Sequence, residues 1–205
     1  MKIACITYRS WALKIYESLQ STYCEKHNFL IIKKKEDFNE EEIKLFNPDI
    51  IFWFGWSWIV EKYFIESYTS MMLHPSPLPK YRGGSPIQNQ IINDEKISAV
   101  TIFKMTENLD DGDILFQETI SLDGTLNEIF SRIIRLGIKG SSDIIDNNFS
   151  IRKQNHDEAT YCKRRTPEDS EITIDEIKNM SAQYLYNKIR MLNDPYPNAF
   201  IRTAD

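Results

Sequence analysis

Cysteine is scarce in this sequence of 205 residues, and positive charge is in deficit relative to negative charge. The three cysteines are Cys5, Cys24 and Cys162, and no two of them have the close spacing of a metal-binding or redox motif. This argues against a disulfide framework, and we expect reduced thiols in a cytoplasmic protein. Acidic residues outnumber basic ones by 30 to 25, which gives a formal net charge of −5. Because phosphate-backbone binding normally leaves a basic footprint, we do not expect nucleic acid as a partner.

Long apolar runs are also missing. The most apolar stretch is residues 50–60 (IIFWFGWSWIV), and it is too short to span a bilayer. The chain begins with MKIACITY, which is typical of a strand and not of a secretory leader. We therefore expect no membrane partner. No spacing of His, Cys or Asp suggests a metal site, so no metal cofactor is predicted.

What is present is ordinary globular composition, with 41% hydrophobic and 27% charged residues. Short apolar segments alternate with helical patterns over the first half of the chain. The predicted strands are residues 1–7, 29–32, 50–54, 70–73, 99–105 and 113–120. This order predicts an α/β fold: a Rossmann-like, doubly wound, mostly parallel sheet with a short C-terminal extension.

The domain organisation follows from a change in pattern near residue 150. Before it, Thr125 and Glu128 form a capping box that predicts the start of a long helix. After it, the chain is polar and irregular, with a β-like segment at 171–174 and an amphipathic helix at 182–192. We predict a main domain over 1–150 and an extension over 151–205 that packs on the core or forms a dimer contact.

Two motifs contain residue types that are suited to catalysis. Residues 74–86 (HPSPLPKYRGGSP) form a stiff proline-rich loop that begins with His74, directly after a predicted strand. Residues 109–114 (LDDGDI) form an acidic turn between two later strands. In open α/β sheets, ligands bind beyond the carboxyl ends of the strands. The histidine and the acidic turn are therefore expected to face one cleft.

An imidazole beside a carboxylate suits acyl transfer to an amine. His74 would stabilise the oxyanion that develops on the carbonyl, and a carboxylate would help to remove the ammonium proton. Asp110, Asp111 and Asp113 are the carboxylates of the turn. The alternatives are a structural histidine and a solvated hairpin turn, since Asp-Gly is a common hairpin signal.

Together the motifs resemble the formyltransferase family that uses N10-formyltetrahydrofolate. The resemblance rests on His74-Pro-Ser-Pro-Leu-Pro79, Tyr81-Arg-Gly-Gly-Ser-Pro-Ile87 and Leu109-Asp-Asp-Gly-Asp-Ile114. The family pattern is roughly NxHxSxLPxxRGxxPI followed by LDxGDI, and the strand order agrees over most of the chain. The resemblance implies that residues 1–150 are a catalytic formyltransferase domain with N10-formyltetrahydrofolate as co-substrate.

The resemblance also implies roles for particular residues. It makes His74 the catalytic histidine and Asp110 the catalytic aspartate. The residues expected beside the folate are Ile59, Val60, Leu109, Asp111 and Gly112. The residues expected to contact the acceptor are Arg9 and Ser10 at the first helix start, and Tyr81, Arg82 and Gly83 in the proline-rich loop. Arg9 and Ser10 are expected there because the N–H groups of a helix start could bind a diphosphate, and the alternative is an ordinary helix start that Ser10 caps.

The sequence departs from the family pattern at Met72. The family usually has Asn at this position, two residues before the histidine, and a methionine cannot donate a hydrogen bond. Loss of one oxyanion donor typically lowers the rate on the order of 10²- to 10³-fold. Gln88 and Asn89 are candidate replacements. A non-catalytic protein that binds folate or a nucleotide stays an alternative.

Three branches of the family differ in their acceptor. Methionyl-tRNA formyltransferases are longer, and glycinamide ribonucleotide formyltransferases lack the RGGSPI form. The segments 81–91 (YRGGSPIQNQI) and 159–172 (ATYCKRRTPEDSEI) resemble the branch that formylates nucleotide-linked amino sugars. We therefore expect a nucleotide-linked 4-amino-4,6-dideoxy sugar, used for surface glycans or glycoconjugates, as acceptor. A glycinamide ribonucleotide-type enzyme is the alternative, and the resemblance supports a homodimer.

For several other residues, the sequence allows either a contact with a ligand or an ordinary place in the core or at the surface. Trp56 and Trp58 could stack on flat rings or pack in the core. The basic run Lys163-Arg-Arg165 could approach the nucleotide or be solvated surface. Tyr161 is a further stacking candidate, and His27 and His156 are expected at the surface.

Overall fold

The computed structural model describes residues 1–193 and 196–203. Its strands are β1 Lys2–Ile6, β2 Asn28–Ile32, β3 Ile50–Phe52, β4 Thr69–His74, β5 Arg82–Gly83, β6 Ile97–Lys104, β7 Ile114–Ser121 and β8 Tyr161–Cys162. Its α-helices are α1 Ser10–Tyr23, α2 Glu40–Phe46, α3 Lys62–Ser67, α4 Pro86–Ile92, α5 Leu126–Ile145, α6 Ile174–Asn179 and α7 Ala182–Arg190.

A six-stranded sheet in the order β2-β1-β3-β4-β6-β7 forms the centre of the molecule. The first four strands are parallel, and β6 joins β4 and β7 in antiparallel pairs. The mostly parallel α/β fold predicted from the sequence is confirmed. Because the carboxyl ends of β1, β3 and β4 lie at the same edge, the loops that follow these strands meet there.

Both faces of the parallel strands are covered, which explains why their sequences are continuously apolar. On one face, α1 and α5 pack against the sheet, and Gly137 of α5 lets Ile15 of α1 approach. On the other face, Trp53 and Phe64 belong to a second cluster that covers Ala4 and Ile51. The predicted capping box of Thr125 starts α5.

Two local predictions are wrong. Ser10 does not cap α1, because Arg9 holds the N-cap position and makes no side-chain capping bond. The segment 171–174 is not a strand: Glu171 makes a single bridge to Phe200, and Thr173 starts α6 with its own capping box. The side-chain bonds of that box outweigh the weak β preference of the isoleucines around it.

The segment 152–165 lies directly against the main body of the fold. Arg152 bridges Ile114 at the start of β7, and β8 pairs with β5 of the proline-rich loop in parallel. The domain boundary placed at residue 150 stays a prediction. Within the described ranges, the helices are too short or too polar to cross a membrane.

Candidate active site

A cleft with a volume of about 890 Å³ lies at the carboxyl edge of the parallel strands. It is lined by the loops after β1, β3 and β4, by the turn before β7 and by the residues after β8. Of the twelve residues predicted to be catalytic or to contact the folate or the acceptor, seven line it: Arg9, Ile59, Val60, His74, Gly83, Leu109 and Asp110. The strand ends therefore bring the proline-rich loop and the acidic turn together, as expected.

His74 is the last residue of β4 and is 5% exposed. Its Nε2 lies 2.7 Å from the backbone oxygen of Tyr81. Because a carbonyl oxygen can only accept, this contact assigns a proton to Nε2. The second ring nitrogen, Nδ1, lies 3.5 Å from Oδ2 of Asp110. A hydrogen bond from Nε2 thus fixes the orientation of the imidazole, and Nδ1 is directed toward the carboxylate.

Asp110 is held by its backbone as much as by its side chain. Its φ of +50° lies in the left-handed region, which is uncommon for a residue other than glycine. Oδ2 accepts a hydrogen bond of 2.8 Å from the backbone N–H of Gly83. In the same turn, a Cβ on Gly112 would come within 1.7 Å of the Lys104 oxygen, so only glycine fits there. The turn aims one carboxylate of the acidic run at the histidine.

The side of the cleft expected to bind folate is partly as predicted. Ile59 is 98% exposed in the loop after β3, Val60 is buried, and Leu109 is largely exposed. These side chains give the cleft an apolar wall. Asp111 does not line the cleft, because its carboxylate accepts hydrogen bonds from Thr106 and Asn108. Gly112 is likewise outside the cleft and acts through the shape of the turn.

Trp56 and Trp58 both line this part of the cleft. Their ring centroids are 4.7 Å apart, and Trp56 is buried in the cluster on one face of the sheet. Trp56 is therefore mainly a core residue, whereas Trp58 is 38% exposed beside it.

On the acceptor side, three guanidinium groups line the cleft. Those of Arg9, Arg164 and Arg165 have no carboxylate partner among the described residues. The Arg9 guanidinium lies over the rings of Tyr8 and Tyr196, 4.5 and 5.6 Å from their centroids. Burial raises the pKa of the Tyr196 hydroxyl, while contact with the Gln88 amide and the charges of Arg9 and Arg164 oppose that rise. Gln88, Arg9 and Arg164 therefore lie close to one hydroxyl group.

Three residues predicted to contact the acceptor do not reach the cleft. Ser10 is exposed on α1 outside it. The Tyr81 side chain points away and donates to Glu95, so its contribution to the site is the backbone oxygen that holds His74. Arg82 is only 2% exposed and does not line the cleft, so its predicted contact with a phosphate or sugar is not met.

The guanidinium of Arg82 instead binds neutral acceptors beneath the site. Its Nε and Nη2 donate to Oε1 of Gln154 at 3.2 and 2.7 Å. Its Nη1 donates to the hydroxyl of Tyr161, and Nη2 lies 3.2 Å from Nδ1 of His156. Tyr161 and His156 therefore belong to the surroundings of Arg82, while the more distant His27 lies beside the chain terminus.

Gln154 is a site residue that the sequence did not reveal. It is 6% exposed, and its Nε2 donates to the backbone oxygens of Asp110 at 2.9 Å and Gly112 at 2.8 Å. It lies in a polar, irregular segment with no periodic pattern, so nothing in its neighbours distinguishes it from a surface glutamine. The only sequence signal was its position shortly before the motif 159–172.

Met72 lines the cleft and packs against Phe103, and its thioether offers no donor. The two predicted replacements behave differently. Asn89 is fully used, because its Nδ2 donates to the backbone oxygens of Gly84, Ser85 and Lys163. Gln88 lines the cleft, and its buried Nε2 lies beside the Tyr196 hydroxyl without a well-formed hydrogen bond to it. Gln88 is therefore the candidate whose donor is the less committed of the two.

The described residues contain no group of three or more His, Cys, Asp or Glu side chains that could hold a metal ion.

A family model described as formyl transferase matches residues 10–140 of the chain. The methionyl-tRNA formyltransferase of Pseudothermotoga lettingae is 34% identical over 171 residues, which are 80% of this chain and 54% of that protein. The chain thus spans about half the length of this curated relative.

Solved structures agree with this result. A methionyl-tRNA formyltransferase from Clostridium thermocellum has a TM-score of 0.90 and 35% identity, covering 100% of this chain and 88% of that chain. A sugar N-formyltransferase from Shewanella sp. FDAARGOS_354 has a TM-score of 0.80 and 17% identity, covering 100% and 94%. HypX from Aquifex aeolicus, in complex with tetrahydrofolic acid, has a TM-score of 0.83 and 19% identity, covering 99% and 36%.

The structures below 25% identity establish a common fold and nothing finer. The family model and the two methionyl-tRNA formyltransferases go further, because they match the sequence across the cleft residues His74 and Asp110. The chain therefore belongs to the formyl transferase family.

Proposed function

We propose that this chain transfers a formyl group from N10-formyltetrahydrofolate to the primary amine of a nucleotide-linked amino sugar. The observation that carries the proposal is the pair of His74 and Asp110, whose Nδ1 and Oδ2 lie 3.5 Å apart in a cleft. Acyl transfer to an amine needs a donor for the oxyanion and a base for the ammonium proton, and this pair supplies both.

The apolar wall of the cleft fits a flat folate ring. Ile59, Val60 and Leu109 offer hydrocarbon surface, and the backbone of the acidic turn lies beside them. The tetrahydrofolic acid bound to HypX, which shares this fold, supports a folate-type co-substrate. The formyl group on N10 supplies the carbonyl carbon that an amine attacks.

His74 and Asp110 each handle one charge that forms in this reaction. The amine nitrogen forms a bond to the formyl carbon, and the carbonyl oxygen takes up negative charge. When both ring nitrogens of His74 carry protons, Nδ1 can donate to this oxygen while Nε2 stays bonded to Tyr81. Asp110 accepts the proton that the new ammonium group loses. The oxyanion then re-forms the carbonyl as the bond from carbon to N10 breaks, and N10 takes up the proton that Asp110 accepted, which leaves a formamide, tetrahydrofolate and the Asp110 carboxylate.

The guanidinium groups on the acceptor side support a phosphate-bearing acceptor. Arg9, Arg164 and Arg165 lack carboxylate partners among the described residues, in a chain with a net charge of −5. Gln88 adds an amide donor to the same cleft, beside the Tyr196 hydroxyl. Such a cluster is suited to the diphosphate of a nucleotide-linked sugar, while the overall acidic charge does not favour a long polyanion.

Methionyl-tRNA is the second candidate acceptor, because the relatives at 34–35% identity are methionyl-tRNA formyltransferases. It also presents a primary amine near phosphates. The chain covers 54% of the curated relative, so the substrate of that whole protein does not transfer automatically.

A product assay by mass spectrometry separates these candidates. The protein is incubated with N10-formyltetrahydrofolate and, in parallel, with nucleotide-linked 4-amino sugars, methionyl-tRNA and glycinamide ribonucleotide. A formyl group gained by a sugar supports the proposal, and one gained by methionyl-tRNA alone selects the second candidate. Folate binding without any product would instead favour the non-catalytic alternative raised by Met72.

Asp110→Asn tests the catalytic pair. The change keeps an oxygen that can accept from Gly83 but removes the charge that accepts the ammonium proton. We expect turnover to fall about 10²- to 10⁴-fold, with the melting temperature nearly unchanged. Asp113→Asn is the matched control, because this neighbouring carboxylate does not line the cleft. Equal turnover of the two variants would contradict the role of Asp110.

A further inference from the structure

Beneath the acidic turn, a buried arginine and a buried glutamine form a chain of hydrogen bonds that ends on the backbone of Asp110. Arg82 is 2% exposed and Gln154 is 6% exposed. The guanidinium donates to Oε1 of Gln154, and Nε2 of Gln154 donates to the oxygens of Asp110 and Gly112. All four hydrogen-bonding positions of the Gln154 amide are therefore used.

The arginine fixes the direction of the amide. A guanidinium can only donate, so the oxygen of Gln154 must face Arg82 and its NH₂ group must face the turn. Among the described residues, Arg82 has no carboxylate partner, and the oxygen of Gln154 takes two of its hydrogen bonds. Because a buried charge is costly without hydrogen bonds, these contacts are strongly maintained.

The two carbonyls held by Gln154 flank a backbone under strain. Asp110 has a φ of +50°, a conformation that a non-glycine residue keeps only when its surroundings enforce it. In this conformation Oδ2 accepts from the Gly83 N–H at 2.8 Å and lies 3.5 Å from Nδ1 of His74. Release of the two carbonyls would let the turn relax and would move the carboxylate away from the imidazole.

We propose that Gln154, oriented by Arg82, is a positioning residue for Asp110. It does not touch the reacting atoms, and it acts by holding the carboxylate beside His74, where it can accept the proton that the new ammonium group loses. The assignment rests on the proposed function for its kinetic consequence. Its structural consequence, the conformation of the turn, is independent of that function.

Gln154→Met is the test variant, because methionine has a similar volume and makes none of the four hydrogen bonds. We expect kcat to fall on the order of 10²-fold while KM for the acceptor changes little, since the arginines on the acceptor side lie outside the acidic turn. Gln117→Met is the matched control. Gln117 also donates two hydrogen bonds, to Leu78 and Thr101, but it does not contact the acidic turn.

A second variant tests the direction of the chain of hydrogen bonds. Arg82→Lys keeps the charge but loses the fork that orients Gln154. We expect an intermediate loss of kcat, and we expect the double variant to be no slower than Gln154→Met alone, because both changes release the same turn. Fully additive losses would contradict the proposal.

The Gly83 amide reports on the turn without any assay of activity. Its N–H donates to the Asp110 carboxylate, so its amide proton should exchange slowly with solvent and shift downfield in the wild-type protein. In Gln154→Met we expect faster exchange and a changed shift, and in Gln117→Met we expect the wild-type signal. If this signal is unchanged in Gln154→Met, the positioning role is wrong. If it changes but no variant forms product, the proposed function fails while the positioning role stands.

Discussion

At the residue scale, the site depends on groups that each have one hydrogen-bonding side fixed and one side free. Nε2 of His74 is bound to the Tyr81 carbonyl, and the Asp110 carboxylate is bound to the Gly83 N–H. Each group then presents its remaining atoms to the cleft in a defined direction. Such preorganisation is what acyl transfer gains from a folded scaffold.

Arg9→Gln and Arg164→Gln test the acceptor side. Each change removes a positive charge near the Tyr196 hydroxyl without altering His74 or Asp110. We expect KM for the phosphate-bearing acceptor to rise about tenfold per variant, with kcat largely kept, because a charge-assisted contact contributes roughly 1.5–3 kcal/mol. Steady-state kinetics at several salt concentrations provide the measurement, and the wild-type KM should rise more steeply with salt than those of the variants.

Arg135→Gln is the control for this pair, because Arg135 is exposed on α5 and lies outside the cleft. If the cleft arginines behave like this control, the acceptor does not place a phosphate beside them.

Motif residues were predictable at this scale when their chemistry required a particular side chain. His74 was a candidate because it ends a predicted strand and begins the proline-rich loop, whereas the choice of Asp110 among three aspartates came from the family resemblance. Arg82 did not, because a sequence cannot show whether a loop arginine points into the cleft or beneath it. The neutral groups that bind its guanidinium include Gln154 and Tyr161, both more than 70 residues away in the sequence.

At the element scale, the short pair of β5 and β8 joins the proline-rich loop to the segment after residue 150. Gly83 is central to this pair. It has a φ of +102°, and a Cβ there would lie 2.4 Å from the backbone oxygen of Cys162. A side chain at this position would therefore meet rigid backbone and a strained conformation together.

We predict that Gly83→Ala lowers the free energy of unfolding by about 2 kcal/mol or more and disturbs the Asp110 contact. Thermal unfolding should show a melting temperature lowered by roughly 4–8 °C for a chain of this size. Wild-type stability in this variant would contradict the prediction, because it would mean that the β5–β8 pairing shifts without penalty.

An ion pair between a buried lysine and a half-buried glutamate holds α6 to α7. Nζ of Lys188, which is 4% exposed, donates to both carboxylate oxygens of Glu176 at 2.7 and 2.8 Å. Burial alone would raise the pKa of Glu176, but hydrogen bonds from Lys188, the Thr173 backbone and Tyr184 outweigh it and lower this pKa to about 2. The pair is therefore expected to matter for acid stability.

Because the folded pKa of Glu176 lies below its ordinary value, its contribution to stability is present above pH of about 4.5 and is lost as the pH falls toward 2. We predict that Glu176→Gln lowers stability at pH 7 by up to about 3 kcal/mol and makes unfolding less pH-dependent between these values. Urea unfolding at a series of pH values is the measurement. Glu25→Gln, an exposed acid near the end of α1, is the control, and equal pH slopes for the two variants would contradict this role.

Helices and strands were predicted correctly where the apolar pattern was long. They were missed where local side-chain hydrogen bonds determine the structure. The sheet strands and α5 follow from buried runs and from helical periodicity over several turns. The helix α6 was missed because its six residues carry no buried face, so Thr173 and Glu176 were its main signal. The β5–β8 pair joins two-residue strands across the chain, which leaves no pattern to detect.

At the scale of the whole molecule, the parallel sheet brings distant loops to one edge, and the segment after β8 completes the cleft with Arg164 and Arg165. The succession of strands along the chain and a mostly parallel sheet were predicted from the sequence, whereas the order of the strands within the sheet and the antiparallel direction of β6 were not. The shape of the cleft was not, because it depends on where the irregular segment 152–165 returns to the core.

The homodimer suggested by the family resemblance stays a prediction. Helices α6 and α7 expose apolar side chains at Ile174, Ile177, Tyr186 and Ile189. If these helices form the contact, Ile177→Glu and Ile189→Glu should convert a dimer to a monomer because a charge would be buried in the interface. Sedimentation velocity over a range of concentrations measures this. A wild-type protein that stays monomeric throughout would refute the prediction.

The central claim is that the pair of His74 and Asp110 transfers a formyl group to an amine in this cleft. The most direct measurement is the mass of the acceptor after incubation with N10-formyltetrahydrofolate and either the wild-type protein or His74→Ala. We predict one formyl group on a nucleotide-linked amino sugar with the wild-type protein and almost none with the variant. Undiminished formylation by His74→Ala would contradict the central claim.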